Sequence, residues 1–159
     1  MIKSMSMSVK LRLEMLWWAF TLVLTLVLVL PITTQIPQYP FLGINILYII
    51  TFVTITRHLF LLQHTFIAPF QRVRLALIFL MIPFIFYQIQ ELNYFQITLD
   101  EQGLDFFVSH LPYEDRGSIM RYLYNQMVFF AAGSIIASFL FPFRMVLSIW
   151  RYRNRGGKV

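Results

Sequence analysis

Apolar positions along this chain neither alternate nor keep to a one-sided helical stripe; they gather in four blocks. The blocks lie at about 13–32, 41–62, 73–90 and 127–150. Each has roughly the 17 to 24 residues that carry an α-helix across about 30 Å of hydrocarbon. A soluble helix buries one face and wets the other. Here both faces are apolar, as in Val23-Leu24-Thr25-Leu26-Val27-Leu28-Val29-Leu30. The pattern predicts an all-α membrane protein, with four transmembrane helices in an antiparallel bundle and the whole of 1–159 as one transmembrane domain.

Polar residues punctuate the blocks. Pro31, Pro37 and Pro40 fall close together. They predict that the first span ends at Ile32 and that a loop leads to Phe41. Arg57 and His58 interrupt the second block, which should end before Pro69. Pro83 removes one hydrogen bond from the third span and predicts a kink. The first block starts like a signal peptide. It continues past any small-residue cleavage site and more spans follow, so an uncleaved anchor is expected.

The segment 91–126 departs from this pattern and predicts a small helical cap between spans three and four. Two patterns overlap in 95–111. Thr98-Leu99-Asp100-Glu101 matches a capping box, and Leu104, Phe107, Val108 and Leu111 follow a helical stripe. Alternatively, Phe95, Ile97, Leu99 and then Leu104, Phe106, Val108 alternate around a turn at Gly103, as in a hairpin. A lone hairpin is marginal in water, whereas a surface helix has the bundle to rest on, which favours the helix. Beyond Pro112, Ser118 is a candidate N-cap, and Ile119, Leu123, Met127 and Phe130 lead into span four as one long helix.

Charge adds a direction. Of 13 Lys and Arg, all but Arg116 and Arg121 lie towards one set of span ends, the side of the termini and of the connector between spans two and three. Of seven acidic residues, all but Glu14 lie between Glu91 and Gln126. Cations concentrate on the cytoplasmic side of membrane proteins, so both termini are expected there, with 91–126 outside, in a multi-pass protein of a bacterial inner membrane. The same distribution argues against a nucleic-acid partner despite the net charge of +6, because the cations mark span ends and do not line a groove. Only 13% of residues are charged and the mean hydropathy is +0.68. The absence of Cys excludes disulfides, thiolate metal sites and thiol redox chemistry.

Four groups of residues hold candidate chemistry. Glu14, Arg57 and Arg144 lie about 18, 16 and 17 residues from the outer ends of their spans, a common depth of roughly 25 Å. Ionisable side chains at such depth face the bundle and pair. The trio is either a structural ion pair or a coupling site for proton or substrate. Arg144, Arg151 and Arg155 share one helix stripe with Ser148, suited to anionic lipid headgroups on the cytoplasmic side. Asn45, Tyr48 and Thr51 on span two, with Tyr87, Gln88 and Glu91 on span three, suit interhelical hydrogen bonds or a shallow headgroup or quinone site. Phe106, Phe107 and Tyr113 exceed the apolar area a solvated loop needs. They are candidate partner contacts, as are Gly133 and Ala137 at small-xxx-small spacing. His58 and His64 share no helix face and His110 stands apart, so no metal or cofactor is expected, and no catalytic residues are assigned. The function class that fits is a non-catalytic accessory or scaffold subunit of a larger membrane complex, with other membrane subunits as partners. Second comes a small transporter or lipid/isoprenoid carrier using Glu14 with Arg57 and Arg144. A quinone- or lipid-processing enzyme is third.

Overall fold

The computed structural model describes residues 7–62, 71–103 and 105–154. Among them the chain forms helices α1 (Met7–Gln35), α2 (Leu42–Leu61), α3 (Gln71–Gln102), the one-turn α4 (Asp105–Val108) and α5 (Tyr113–Asn154), and no strand. Four of these are long and apolar enough to cross a membrane. His64, Leu104 and Arg155 lie outside the described residues. The Val- and Thr-rich stretch of α1 would suit a strand in water. In hydrocarbon no solvent satisfies an open strand edge, and the helix bonds its own backbone.

Burial on α1 departs from that of a soluble helix. On α1, Leu22, Val23, Leu26, Val27 and Leu30 all point outward, while Thr21 and Thr25 point inward. Each inward threonine donates to the carbonyl four residues back, Thr21 to Trp17 at 2.8 Å and Thr25 to Thr21 at 2.7 Å. Their hydroxyls are therefore satisfied locally and add no unpaired polar atom. Apolar outside with satisfied polar groups inside is the arrangement a lipid solvent selects, and the chain is a multi-pass membrane protein.

Helices α2 and α5 form the central pair; α1 packs mainly on α2, and α3 on α5. Helix α3 meets the bundle along a narrow line. Its buried residues are Arg74, Met81, Gln88 and Phe95, spaced seven apart. A seven-residue spacing marks a single contact seam and leaves most of the helix surface free. Two apolar clusters result. One joins Ile44, Tyr48, Phe95, Phe107, Leu123 and Met127 at the end carrying the 36–41 connector and α4, here called the aromatic end. The other joins Ile55, Met81, Ala137, Phe141 and Met145 towards the basic end.

Several boundaries differ from the sequence expectation. Helix α1 continues through Pro31 to Gln35. The bond that proline removes is the one to the Val27 carbonyl, and beyond it the Thr33 and Thr34 hydroxyls add bonds to the Leu30 carbonyl at 3.1 and 2.9 Å. Helix α3 does not stop near Gln90 but runs to Gln102. Thr98–Glu101 is therefore its last turn and not a helix start, and Thr98 donates to the Tyr94 carbonyl at 2.8 Å. Gly103, with φ 75°, ends the helix in the left-handed conformation that favours glycine. No hairpin forms, and the helix in this stretch is a single turn. Ser118 is not an N-cap: α5 begins five residues earlier, after Pro112, and Ser118 donates to the Asp115 carbonyl at 2.8 Å. Acidic Glu114 and Asp115 occupy its first turn, where the helix dipole favours them.

Candidate functional site

At the basic end, α1 and α2 are joined by charge. The Arg57 guanidinium donates to Glu14 Oε2 at 2.7 Å, and the Arg57 and Glu14 side chains are only 5% and 15% exposed. Glu14 and Trp17 are three residues apart, so they share a face of α1, and Arg57 lies over the Trp17 ring at 5.5 Å. One side chain thus meets a carboxylate and an aromatic face together, which strengthens the attraction in a partly desolvated setting. His58, also buried, donates from Nδ1 to the Thr54 carbonyl at 2.7 Å and meets the Phe141 ring edge-on. A carbonyl can only accept, so this bond fixes the tautomer with the proton on Nδ1.

Arg144 takes a different position. It donates from Nε to the Leu59 carbonyl at 2.9 Å, in the last turn of α2. The final carbonyls of a helix have no partner within it, so Arg144 of α5 satisfies the end of α2 and complements its dipole. Arg74 is buried and donates to Ser148 Oγ at 3.0 Å, which ties α3 to α5 at the same level. Arg151 is exposed. The geometry therefore pairs Glu14 with Arg57 and assigns Arg144 to helix capping.

At the aromatic end, Phe107 is buried, with its ring edge-on to Tyr39 at 5.7 Å and to Phe41 at 6.2 Å. Phe41 in turn meets Phe95 of α3 at 5.2 Å. Such edge-to-face contacts hold the 36–41 connector, α3 and α4 together. Phe106 and Tyr113 stay exposed, Tyr113 at 88%. Burial pushes the Tyr39 phenol well above its usual range, and its hydroxyl has no partner among the described residues. Two polar side chains close the connectors: His110 donates from Nε2 to the Gln35 carbonyl at the end of α1 at 2.7 Å, and Arg116 donates to the Leu111 and Ser109 carbonyls at 2.8 and 2.6 Å. Gly133 and Ala137 face inward. A Cβ at Gly133 would come within 2.8 Å of the Phe52 ring of α2, so glycine is what permits the central pair to approach so closely.

Between the two apolar clusters lies a polar layer. Gln88 of α3 is fully buried; its Nε2 donates to Ser138 Oγ at 2.9 Å, and its Oε1 accepts from Ser134 Oγ, both on α5. Tyr48 of α2 donates to the Gln88 backbone carbonyl at 2.6 Å. One turn nearer the aromatic end, Asn45 Nδ2 donates to Gln126 Oε1 at 2.8 Å, while Asn45 Oδ1 and Gln126 Nε2 find no partner among the described residues. The sequence signals that these polar residues lie within spans but does not show their pairing: Asn45 and Gln126 are 81 positions apart. The burial of Arg74 was also not foreseen, since an Arg at a span end reads as an interfacial cation. Among the described residues no cluster of three or more His, Asp or Glu could hold a metal. Compared with protein-family models, curated proteins and solved structures, the chain finds no match.

The ion pair gives a stability prediction. Glu14→Ala strands Arg57 inside the bundle and should cost about 3 kcal/mol of unfolding free energy in detergent. Replacing both residues with Leu should recover most of that loss, because the cost lies in the unpaired charge. A Glu14→Ala protein as stable as wild type would contradict this role.

Proposed function

We propose that this protein is a non-catalytic accessory or scaffold subunit of a larger integral membrane complex. In this proposal the four spans form an antiparallel bundle in a bacterial inner membrane, with both termini cytoplasmic and the aromatic end outside. The cation distribution supports that orientation. The observation that carries the subunit assignment is the free face of α3. Its inward seam buries one position in seven, with Leu77, Ile78, Phe84, Leu92 and Leu99 half-buried beside it. On the outward side, Phe79, Ile82, Phe86 and Ile89 are exposed at the i, i+3, i+7, i+10 spacing of a second helix-packing seam. Asn93 and Gln96 continue the same spacing and are exposed. Gln90 joins them along a shallow groove of about 500 Å³.

Phenylalanine and isoleucine can face lipid at no cost. Amide side chains near hydrocarbon are another matter: they lose water and gain nothing from acyl chains, and a neighbouring helix offers them donors and acceptors. A face with apolar knobs at one end and amides at the other suits a partner helix better than bare lipid. The interior also fits a scaffold, since its polar groups are engaged mainly with one another across helices.

Two measurements test this. Tagged protein expressed at native level and extracted in mild detergent should co-purify with a stoichiometric membrane partner, and Asn93→Leu combined with Gln96→Leu should release that partner by weakening the face. A homogeneous monomer without partners would overturn the proposal. Topology is accessible because the chain has no Cys. An impermeant maleimide should label Tyr113→Cys in intact cells and Arg153→Cys only after permeabilisation; the opposite pattern would invert the orientation.

A further inference from the structure

A groove of about 870 Å³ runs between α1 and α5 near the aromatic end. Leu28 contributes from α1, and the Tyr122 hydroxyl draws the two helices together by donating to the Leu28 carbonyl at 2.7 Å. Along α5 the lining changes character. Ser118, Arg121 and Asn125 lie at the polar end, and Val128 and Phe129 continue the same stripe into the apolar part. Polarity thus falls along the groove as it falls along a lipid, from headgroup to acyl chain.

Two side chains in this groove have donors without a partner among the described residues. Arg121 is exposed and has no hydrogen-bond or ion-pair partner among the described residues. The other arginine of this side, Arg116, is engaged with two carbonyls. Gln126 is 6% exposed, spends Oε1 on Asn45, and leaves Nε2 without an acceptor. A buried amide donor without a partner is costly, so an acceptor brought by a ligand gains that energy. Five residues separate Arg121 from Gln126, a rise of about 7.5 Å, comparable to the separation of a phospholipid's phosphate from its acyl esters.

We propose that this groove binds one anionic phospholipid. Its phosphate bonds the Arg121 guanidinium, with Asn125 beside it, and an ester carbonyl accepts from Gln126 Nε2. The chains lie along Val128, Phe129 and Leu28. A single net negative charge on the lipid neutralises Arg121 as a pair. A zwitterionic lipid brings a second charge that needs its own partner at the membrane surface, which is why the site prefers the anion.

The test is photo-crosslinking in vesicles. Phosphatidylglycerol or phosphatidylcholine carrying a diazirine in one acyl chain is mixed with the reconstituted full-length protein, and the crosslinked peptides are mapped. Phosphatidylglycerol should label the 118–130 segment about fivefold more than phosphatidylcholine. Arg121→Gln should abolish the difference, and Arg121→Lys should retain part of it. Excess glycerol phosphate should not compete. Equal labelling by the two lipids, or an undiminished preference in Arg121→Gln, would overturn the proposal. Displacement by glycerol phosphate would also overturn it, by assigning the groove to a soluble phosphate.

Discussion

Gln88 carries a primary amide to the centre of a helix that crosses hydrocarbon, and it is completely buried. Two α5 hydroxyls, on Ser134 and Ser138, meet its acceptor and its donor, and Tyr48 of α2 bonds its backbone carbonyl. Three helices therefore meet at one residue. This matters more in lipid than it would in water. Apolar helices gain little by leaving acyl chains for one another, so packing and polar contacts decide which faces meet. Helix α3 illustrates the point. Arg74, Met81, Gln88 and Phe95 are buried, and Leu77, Ile78, Phe84, Leu92 and Leu99 pack half-buried beside them; the Gln88 amide adds to this apolar contact the polar one that fixes which side faces in. The free outward face of α3 is a consequence of that choice.

The ends of the bundle follow the same logic with different groups. Helix ends leave carbonyls unpaired, and here side chains from other elements take them up. Arg144 of α5 closes α2, and His110 closes α1. At the basic end the Glu14–Arg57 pair joins α1 to α2, and at the other end rings from the 36–41 connector, α3 and α4 interlock. Buried polar and charged groups such as Arg57, Arg74 and Gln88 are thus employed in holding helices. On the groove between α1 and α5, Arg121 and Gln126 Nε2 have no such partner among the described residues.

The sequence makes the four helices legible, because hydrocarbon demands long apolar runs and α1, α2, α3 and α5 contain them. It reads their limits less well. Helix α3 runs twelve residues past Gln90 through Glu91, Asn93, Gln96 and Asp100, polar residues that look like loop once the membrane signal ends. The capping-box pattern at Thr98–Glu101 occurs inside a helix already under way, where its hydroxyl bonds backwards along the helix and not to a free N–H. Pro31 suggests a helix end, yet α1 runs on to Gln35. The candidate site is legible in part: the common depth of Glu14 and Arg57 follows from counting residues, but the role of Arg144 depends on where the last turn of α2 lies. The seam Arg74, Met81, Gln88, Phe95 mixes a cation, a thioether, an amide and a ring, so no hydropathy pattern reveals it. Pairings such as Asn45 with Gln126 depend on tertiary placement that local spacing does not encode.

The central claim is that the Gln88 amide positions α3 on α5. A double-mutant cycle measures it directly, with Gln88→Leu, Ser138→Ala and the double variant followed by reversible unfolding in mixed micelles. Side chains that bond each other lose more singly than their combined removal suggests. The account gives a coupling of about 1 kcal/mol between Gln88 and Ser138, in the upper part of the range for interhelical bonds in membranes. A coupling of zero, with the two single losses simply adding, would contradict it.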